Sequence, residues 1–302
     1  MGHDHSHSHG HSHDHSHHGN RQRLLLALLI TALFTVVEVV GGVITRSLAL
    51  LADAGHMLTD SMALALAVLA FAISSRPPDS KRSFGYQRLQ ILAAFVNGIT
   101  LIGIVVWILI EAVSRFISPP EVLGTGMLGV AAAGLVVNVV SFTILHGGDR
   151  DNLNMRGAAL HVLSDLLGSV AAIIAALVII YTGWMPIDPI LSVIVALLIL
   201  RSAIFVVRRS AHILLEGAPD WVSVNDIRER LTRDVPGVAD IHHVHVWGLT
   251  QEHLILTMHL VINTGAEQQT GTVRAVKKIL AEDYGIAHST IEVEFGDCAD
   301  AD

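Results

Sequence analysis

Six apolar runs fill the first two thirds of the chain, at residues 24–44, 47–74, 89–117, 122–145, 157–182 and 189–207. Each is close to the roughly 20 residues that a membrane-spanning helix needs. The stretches between them, "SSRPPDSKRSFG", "SPPEVLG", "HGGDRDN" and "TGWMPIDP", carry the Pro, Gly and Asp of turns. Beyond Val207 the runs shorten, charge returns and the period changes. "VSVNDIRERLTRDV" has helical spacing, with Val224, Ile227 and Leu231 on one face. "VADIHHVHVWGLT" and "EHLILTMHLVI" are β-branched-rich runs separated by a short polar turn, which predicts a hairpin. "TVRAVKKILAEDYG" predicts an amphipathic helix closing on Gly285, and "HSTIEVEF" a last strand. The expected fold is an α-helical membrane protein of six transmembrane helices followed by an α/β module in the order α-β-β-α-β. The boundaries divide it into a His-rich tail (1–20), a six-helix transmembrane domain (21–209) and a C-terminal α/β domain (210–302).

Composition agrees with this division. Hydrophobic residues make up 52% of the 302 and charged residues 15%, outside the usual range of soluble domains. The net charge of −8 leaves no uniformly basic surface for nucleic acid. Cys298 is the only cysteine, so no intramolecular disulfide holds the fold. Arginine and lysine set the orientation. Arg21, Arg23, Arg76, Lys81, Arg82, Arg88, Arg150, Arg156, Arg208 and Arg209 fall on one side of the six spans, against Arg46 and Arg115 on the other. Both termini are therefore expected in the cytoplasm. The opening "MGHDHSHSHGHSHDHSHHGN" cannot build a core and is expected to be disordered. It reads either as an expression tag or as a native metal-collecting or metal-sensing tail. The interspersed Asp, Ser and Gly favour the second.

Chemistry enters with a repeated pair. "AGHMLTD" on the second span and "ALHVLSD" on the fifth place His56 with Asp60, and His161 with Asp165, four residues apart. Residues i and i+4 share a helix face. Spans two and five are equivalent positions if the chain is two inverted three-helix halves, whose site would lie near mid-membrane. His56 falls about 13 Å past Ser47 along a helix, near half of a ~30 Å hydrocarbon core. Two imidazoles and two carboxylates form a tetrahedral N₂O₂ set suited to Zn²⁺, and the carboxylates cancel its charge. Emptied, the site would hold two negative charges where charge is costly, so protons are the natural replacement. That is antiporter chemistry. Asp53 shares the face of His56 and Asp60 and could serve as an entry ligand for the metal, but its counterpart is Ala158, which keeps it outside the core set. Glu38, Glu111, Asn97 and Asn138 read as cavity-lining or interhelical hydrogen-bonding groups. No H-E-x-x-H occurs, which excludes the usual membrane metalloprotease.

The segments "SLALLADAGHMLTDS", "RSFGYQRLQ", "GAALHVLSDLLGS" and "HHVHVWGLT" resemble the cation diffusion facilitator family of zinc transporters, over nearly all of residues 21–297. The resemblance implies a six-helix membrane domain, a ferredoxin-like, metallochaperone-like cytoplasmic tail, a homodimer, and export of divalent metal against protons. It maps the transport site onto His56, Asp60, His161 and Asp165. Zinc is the expected cargo, with cadmium or cobalt as second substrates, and the bacterial inner membrane the expected location. No other cofactor is implied. The resemblance also places tail ligands at His242, His259 and Glu294 for a regulatory Zn²⁺, with Cys298 able to complete the set. His243, His245 and His253 read as strand polarity, His245 being the first candidate among them. Arg88 is expected to pair with Glu216 as a charge interlock. The loop "RPPDSKRSFGYQR" lacks the histidines that some relatives carry there, and Asp79 alone is a poor site. The rival from another class is a membrane-anchored zinc sensor or buffer that moves no metal.

Overall fold

The structure is a computed structural model. It describes residues 14–74, 76–146, 153–250, 252–263, 265–296, 298 and 300, with their side chains except at 14–25, 64, 67, 68, 71, 145, 146, 153–161, 163, 164 and 266. Six long helices come first: α1 (Asp14–Thr45), α2 (Leu48–Ser74), α3 (Arg88–Ile117), α4 (Gly124–His146), α5 (Leu153–Thr182) and α6 (Ile187–Leu214). There follow α7 (Val224–Asp234), β1 (Val238–Gly248), β2 (Leu254–Ile262), α8 (Ala266–Tyr284) and β3 (His288–Glu294). Over the described residues, five of the six long helices are long and apolar enough to cross a membrane. The sixth, α2, contains four positions whose side chains are outside that description.

Several helices run past the ends that apolarity predicts, two of them by seven residues or more. The first begins at Asp14, inside the His-rich segment, and α6 continues seven residues beyond Val207. Apolarity marks the hydrocarbon, whereas helical hydrogen bonding adds residues readily once a nucleus exists.

The chain forms two compact units. One comprises Met1–Leu64 with Ile99–Ile204, the other Ala65–Gly98 with Phe205–Asp302. In the first, small residues let helices approach closely, as expected where apolar contact with lipid gives no preference for helix association. A Cβ at Gly41 would lie 2.6 Å from Val130 on α4, and one at Gly134 would lie 3.0 Å from the Phe34 ring on α1. One core joins Leu48 and Ala52 of α2 to Val105 and Ile108 of α3 and Ala196 and Ile199 of α6. Another joins Ala49 and Leu50 to Met127 and Ala131 of α4 and Ala172, Ala175 and Ala176 of α5. Val36, Val37, Val40, Val43 and Ile44 along α1 are exposed, an apolar surface that lipid would cover.

In the second unit the α2–α3 loop is tied by Asp79. Its carboxylate accepts from the Lys81 and Arg82 amides (2.8 Å each) and from the Tyr86 hydroxyl (2.7 Å). The C-terminal module is a three-stranded sheet in the order β1-β2-β3, antiparallel between β1 and β2 and parallel between β2 and β3. A parallel pair needs a crossover, and α8 supplies it. Ser223 caps α7 by accepting from the Asp226 amide (3.3 Å), and Gly285 ends α8 in the left-handed conformation (φ 69°). Ile227, Leu231, Leu256, Leu260, Val276 and Leu280 form its core.

Candidate metal centres

The intramembrane set begins on α2. His56 Nε2 stands 3.4 Å from Asp60 Oδ2, as the i, i+4 spacing requires. Thr59 turns its hydroxyl back onto the Gly55 and His56 carbonyls, leaving the face to the His–Asp pair. Asp165 on α5 is buried (3% exposed). His161 lies one turn before it on the same helix, and its side chain falls outside the described residues. Asp53 is also buried. It packs against Gly168 of α5, whose added Cβ would meet Asp53 Oδ1 at 3.1 Å. Asp165 acts electrostatically on both Glu38 of α1 and Asp53. Three helices therefore bring carboxyl groups to one buried region. Of the other polar positions, Asn138 donates to Ser169 across α4 and α5 (3.1 Å), and Glu111 accepts from Arg115 (2.9 Å).

The second constellation is built by sheet register. His242 of β1 lies directly opposite His259 of β2. Glu294 ends β3, and Cys298 follows it. One ligating atom from each of His242, His259, Glu294 and Cys298 falls within 4.8 Å of all the others. His259 Nδ1 is 2.9 Å from Glu294 Oε1 and 3.5 Å from Cys298 Sγ. His242 Nε2 and Glu294 Oε2 are buried and make no hydrogen bond, yet stand 3.1 Å apart. Metal–ligand distances of ~2.0–2.3 Å give a tetrahedron whose edges are about 3.3–3.7 Å. These separations lie close to that, and the N₂OS donor set suits zinc. The residues fit the ion.

Surrounding carboxylates orient the rings: Asp240 lies 3.3 Å from His242 Nδ1, Asp300 3.5 Å from His259 Nε2 and Glu292 3.7 Å from the same atom. Burial raises the Glu294 carboxyl, but hydrogen bonds to Cys298 and His259 and the charges of His242 and His259 outweigh it, holding the group below its ordinary value. The Cys298 thiol is pushed up, by burial first and then by Glu294 and Asp300.

Among the remaining strand histidines, His243 is the one drawn in. A register shift between His242 and His245 makes a β-bulge, with His243 in the left-handed region (φ 48°). The bulge stacks the His243 ring on His259, with centroids 4.9 Å apart. His245 is exposed. In the same unit, Arg88 Nη2 donates to Glu216 Oε1 at 3.2 Å.

Comparison with known proteins follows the same division. The cation efflux transmembrane domain matches residues 24–215, and the cytoplasmic domain of cation efflux proteins matches residues 219–295. The chain belongs to the cation efflux family. As a cation efflux protein it is a multi-pass membrane transporter and not an enzyme. The zinc transporter ZitB of Yersinia pestis is 50% identical over 284 residues, covering 94% of this chain and 90% of that one. The metal cation efflux system protein CzcD of Cupriavidus metallidurans is 44% identical, covering 94% and 89%. A cadmium, cobalt and zinc/H(+)-K(+) antiporter of Bacillus velezensis is 44% identical, covering 97% and 92%. The solved metal-bound C-terminal domain of the CzcD transporter is 30% identical over 24% of this chain and 100% of that one, with a TM-score of 0.23.

Proposed function

We propose that this cation efflux protein exports Zn²⁺ from the cytoplasm in exchange for protons, through a tetrahedral site of His56, Asp60, His161 and Asp165. The observation that carries the reading is the His–Asp pair on one face of α2, repeated at the same spacing on α5, beside carboxyl groups buried in a bundle of apolar helices. Buried carboxylates destabilise a membrane domain unless something pairs with them. A divalent cation does so in one state and protons in the other. The name of the ZitB relative supports zinc, and that of the Bacillus relative supports zinc with cadmium and cobalt as further cargo, and proton exchange.

The surrounding organisation follows. Residues 21–209 form the transport domain, with both termini in the cytoplasm of a bacterial inner-membrane protein embedded in lipid. Residues 210–302 form the regulatory domain, through which two copies pair. A Zn²⁺ held by His242, His259, Glu294 and Cys298 would act there as a structural ion that draws β1, β2 and the C-terminal segment together. Cytoplasmic zinc then biases the dimer toward transport. The His-rich tail gathers metal near the cytoplasmic mouth.

The test is zinc resistance in cells lacking their own zinc exporters. The wild-type chain should lower cell zinc and restore growth, while Asp60→Asn and Asp165→Asn, expressed to the same level, should do neither. A wild-type chain that binds zinc but leaves cell zinc unchanged would establish the sensor instead.

A further inference from the structure

The first turn of α2 is capped twice, once from its own sequence and once from another helix. Ser47 is the ordinary N-cap, its hydroxyl accepting from the Leu50 amide (3.2 Å). That satisfies the local rule and would suffice to start the helix. Asp188, at the start of α6 and 141 residues away, then reaches the same turn. Its Oδ1 accepts from the Ser47 hydroxyl (2.6 Å) and the Ala49 amide (3.2 Å), and its Oδ2 accepts from the Leu48 amide (2.7 Å). Ser192 anchors the other side by donating to the Asp188 carbonyl (2.7 Å). Asp188, Ser47, Leu48 and Ser192 are all 0% exposed.

Among the described residues no Lys, Arg or His pairs with this carboxylate. Its charge is met by the amides and positive dipole end of α2. A fully buried carboxylate is an expensive way to repeat what Ser47 already does. What it adds is a tie between helices. Leu48 and Ala52, within the next turn, pack against Ala196, Ile199 and Ala203 of α6, so hydrogen bonds and packing fasten the same stretch. His56 lies eight residues along α2 from Leu48 and Asp60 twelve, about 12 and 18 Å. A helix pinned at one end carries its side chains at fixed heights.

We infer that Asp188 is a positioning residue for transport: it pins α2 to α6 and so sets the height at which His56 and Asp60 meet the facing ligands. This rests on the transport site proposed above. The carboxylate is no cation ligand itself, because three donors occupy its oxygens and no solvent reaches it. Loosening the pin lowers the fraction of molecules in which α2 stands at the binding height. Apparent affinity falls by that fraction, while turnover of loaded molecules is preserved.

The experiment is zinc flux in proteoliposomes of the full chain, with KM and kcat measured for wild type, Asp188→Ala, Asp188→Asn, Ser47→Ala and Asp60→Asn. Asp188→Ala should raise KM about tenfold with kcat within about twofold, the size expected from losing a buried cap. Asp188→Asn keeps one acceptor, and Ser47→Ala keeps the carboxylate; each should raise KM about threefold. None should move the pH midpoint of flux. An unchanged KM, a kcat loss at constant KM, or a shifted midpoint in Asp188→Asn would overturn the inference. If Asp188→Ala does not fold, KM of Ser47→Ala decides: raised supports the pin, unchanged refutes it. Asp60→Asn separates the two layers. If it transports normally, the transport-site reading has failed; if it is dead while the Asp188 variants are normal, only the pin has failed.

Discussion

Replacing Cys298 by alanine is the sharpest probe of the cytoplasmic cluster. The Cys298 sulfur is 3.5 Å from His259 Nδ1, already near a tetrahedral edge for zinc, so binding requires little rearrangement. Its thiol is raised by burial, then by Glu294 and Asp300, so at neutral pH the metal-free protein carries the proton there. Zinc binds the thiolate, and each ion taken up through this residue must expel one proton. Affinity at this site should therefore rise about tenfold per pH unit on account of Cys298 alone, since one proton per unit is about 1.4 kcal/mol. Cys298→Ala should release about one proton fewer per chain, flatten the pH dependence by about one decade per unit, and weaken binding at least about tenfold. Calorimetric titration of zinc in two buffers of different ionisation enthalpy counts those protons. The intramembrane site contributes equally to both proteins and cancels in the difference. An unchanged proton count with unchanged affinity in Cys298→Ala would refute the assignment of sulfur as a ligand.

Three further outcomes are expected. The Arg88–Glu216 pair is 35% and 64% exposed, so a double-mutant cycle on thermal stability should give a coupling of no more than about 1 kcal/mol, reduced by salt; a coupling above about 2 kcal/mol would contradict that. Gly134→Leu would drive a side chain into the Phe34 ring and should cost about 1–3 kcal/mol in thermal unfolding. Gly129→Ala, with nothing within 4 Å, should be nearly neutral. Without metal, the lowered Glu294 carboxyl should stabilise the cytoplasmic domain above its ordinary value of 4.5, an effect lost as pH falls through the lowered native value. Glu294→Gln should flatten that acid limb in circular dichroism melts, and an unaltered limb would count against the Glu294 contacts.

Much of this was legible in the letters because period and burial coincide. The six helices follow from run length, and α7 from Val224, Ile227 and Leu231 on one face. The ends of α1 and α6 were not, because apolarity reports the hydrocarbon and not where backbone hydrogen bonding stops. The β-bulge left a trace that strict alternation hides. Ile241 and Val246 are both buried, yet five residues apart, an odd spacing that regular pleating forbids. That mismatch marks the bulge which turns His243 onto His259. Asp188 left no such trace, since "IDP" before an apolar run reads as an ordinary turn and helix start. Its partners lie 141 residues away, and only tertiary structure joins them. The nearness of Glu38 to Asp53 is hidden for the same reason, although each residue alone is conspicuous in an apolar run.

On the proposed function, zinc moves through the paired helices at the expense of a proton gradient. Zinc flux into proteoliposomes, with and without an imposed pH gradient, in wild type and Asp165→Asn, tests it most directly. Movement should follow the size and direction of the gradient in wild type and vanish in the variant. Flux that ignores the gradient, or that survives Asp165→Asn in a folded protein, would contradict it.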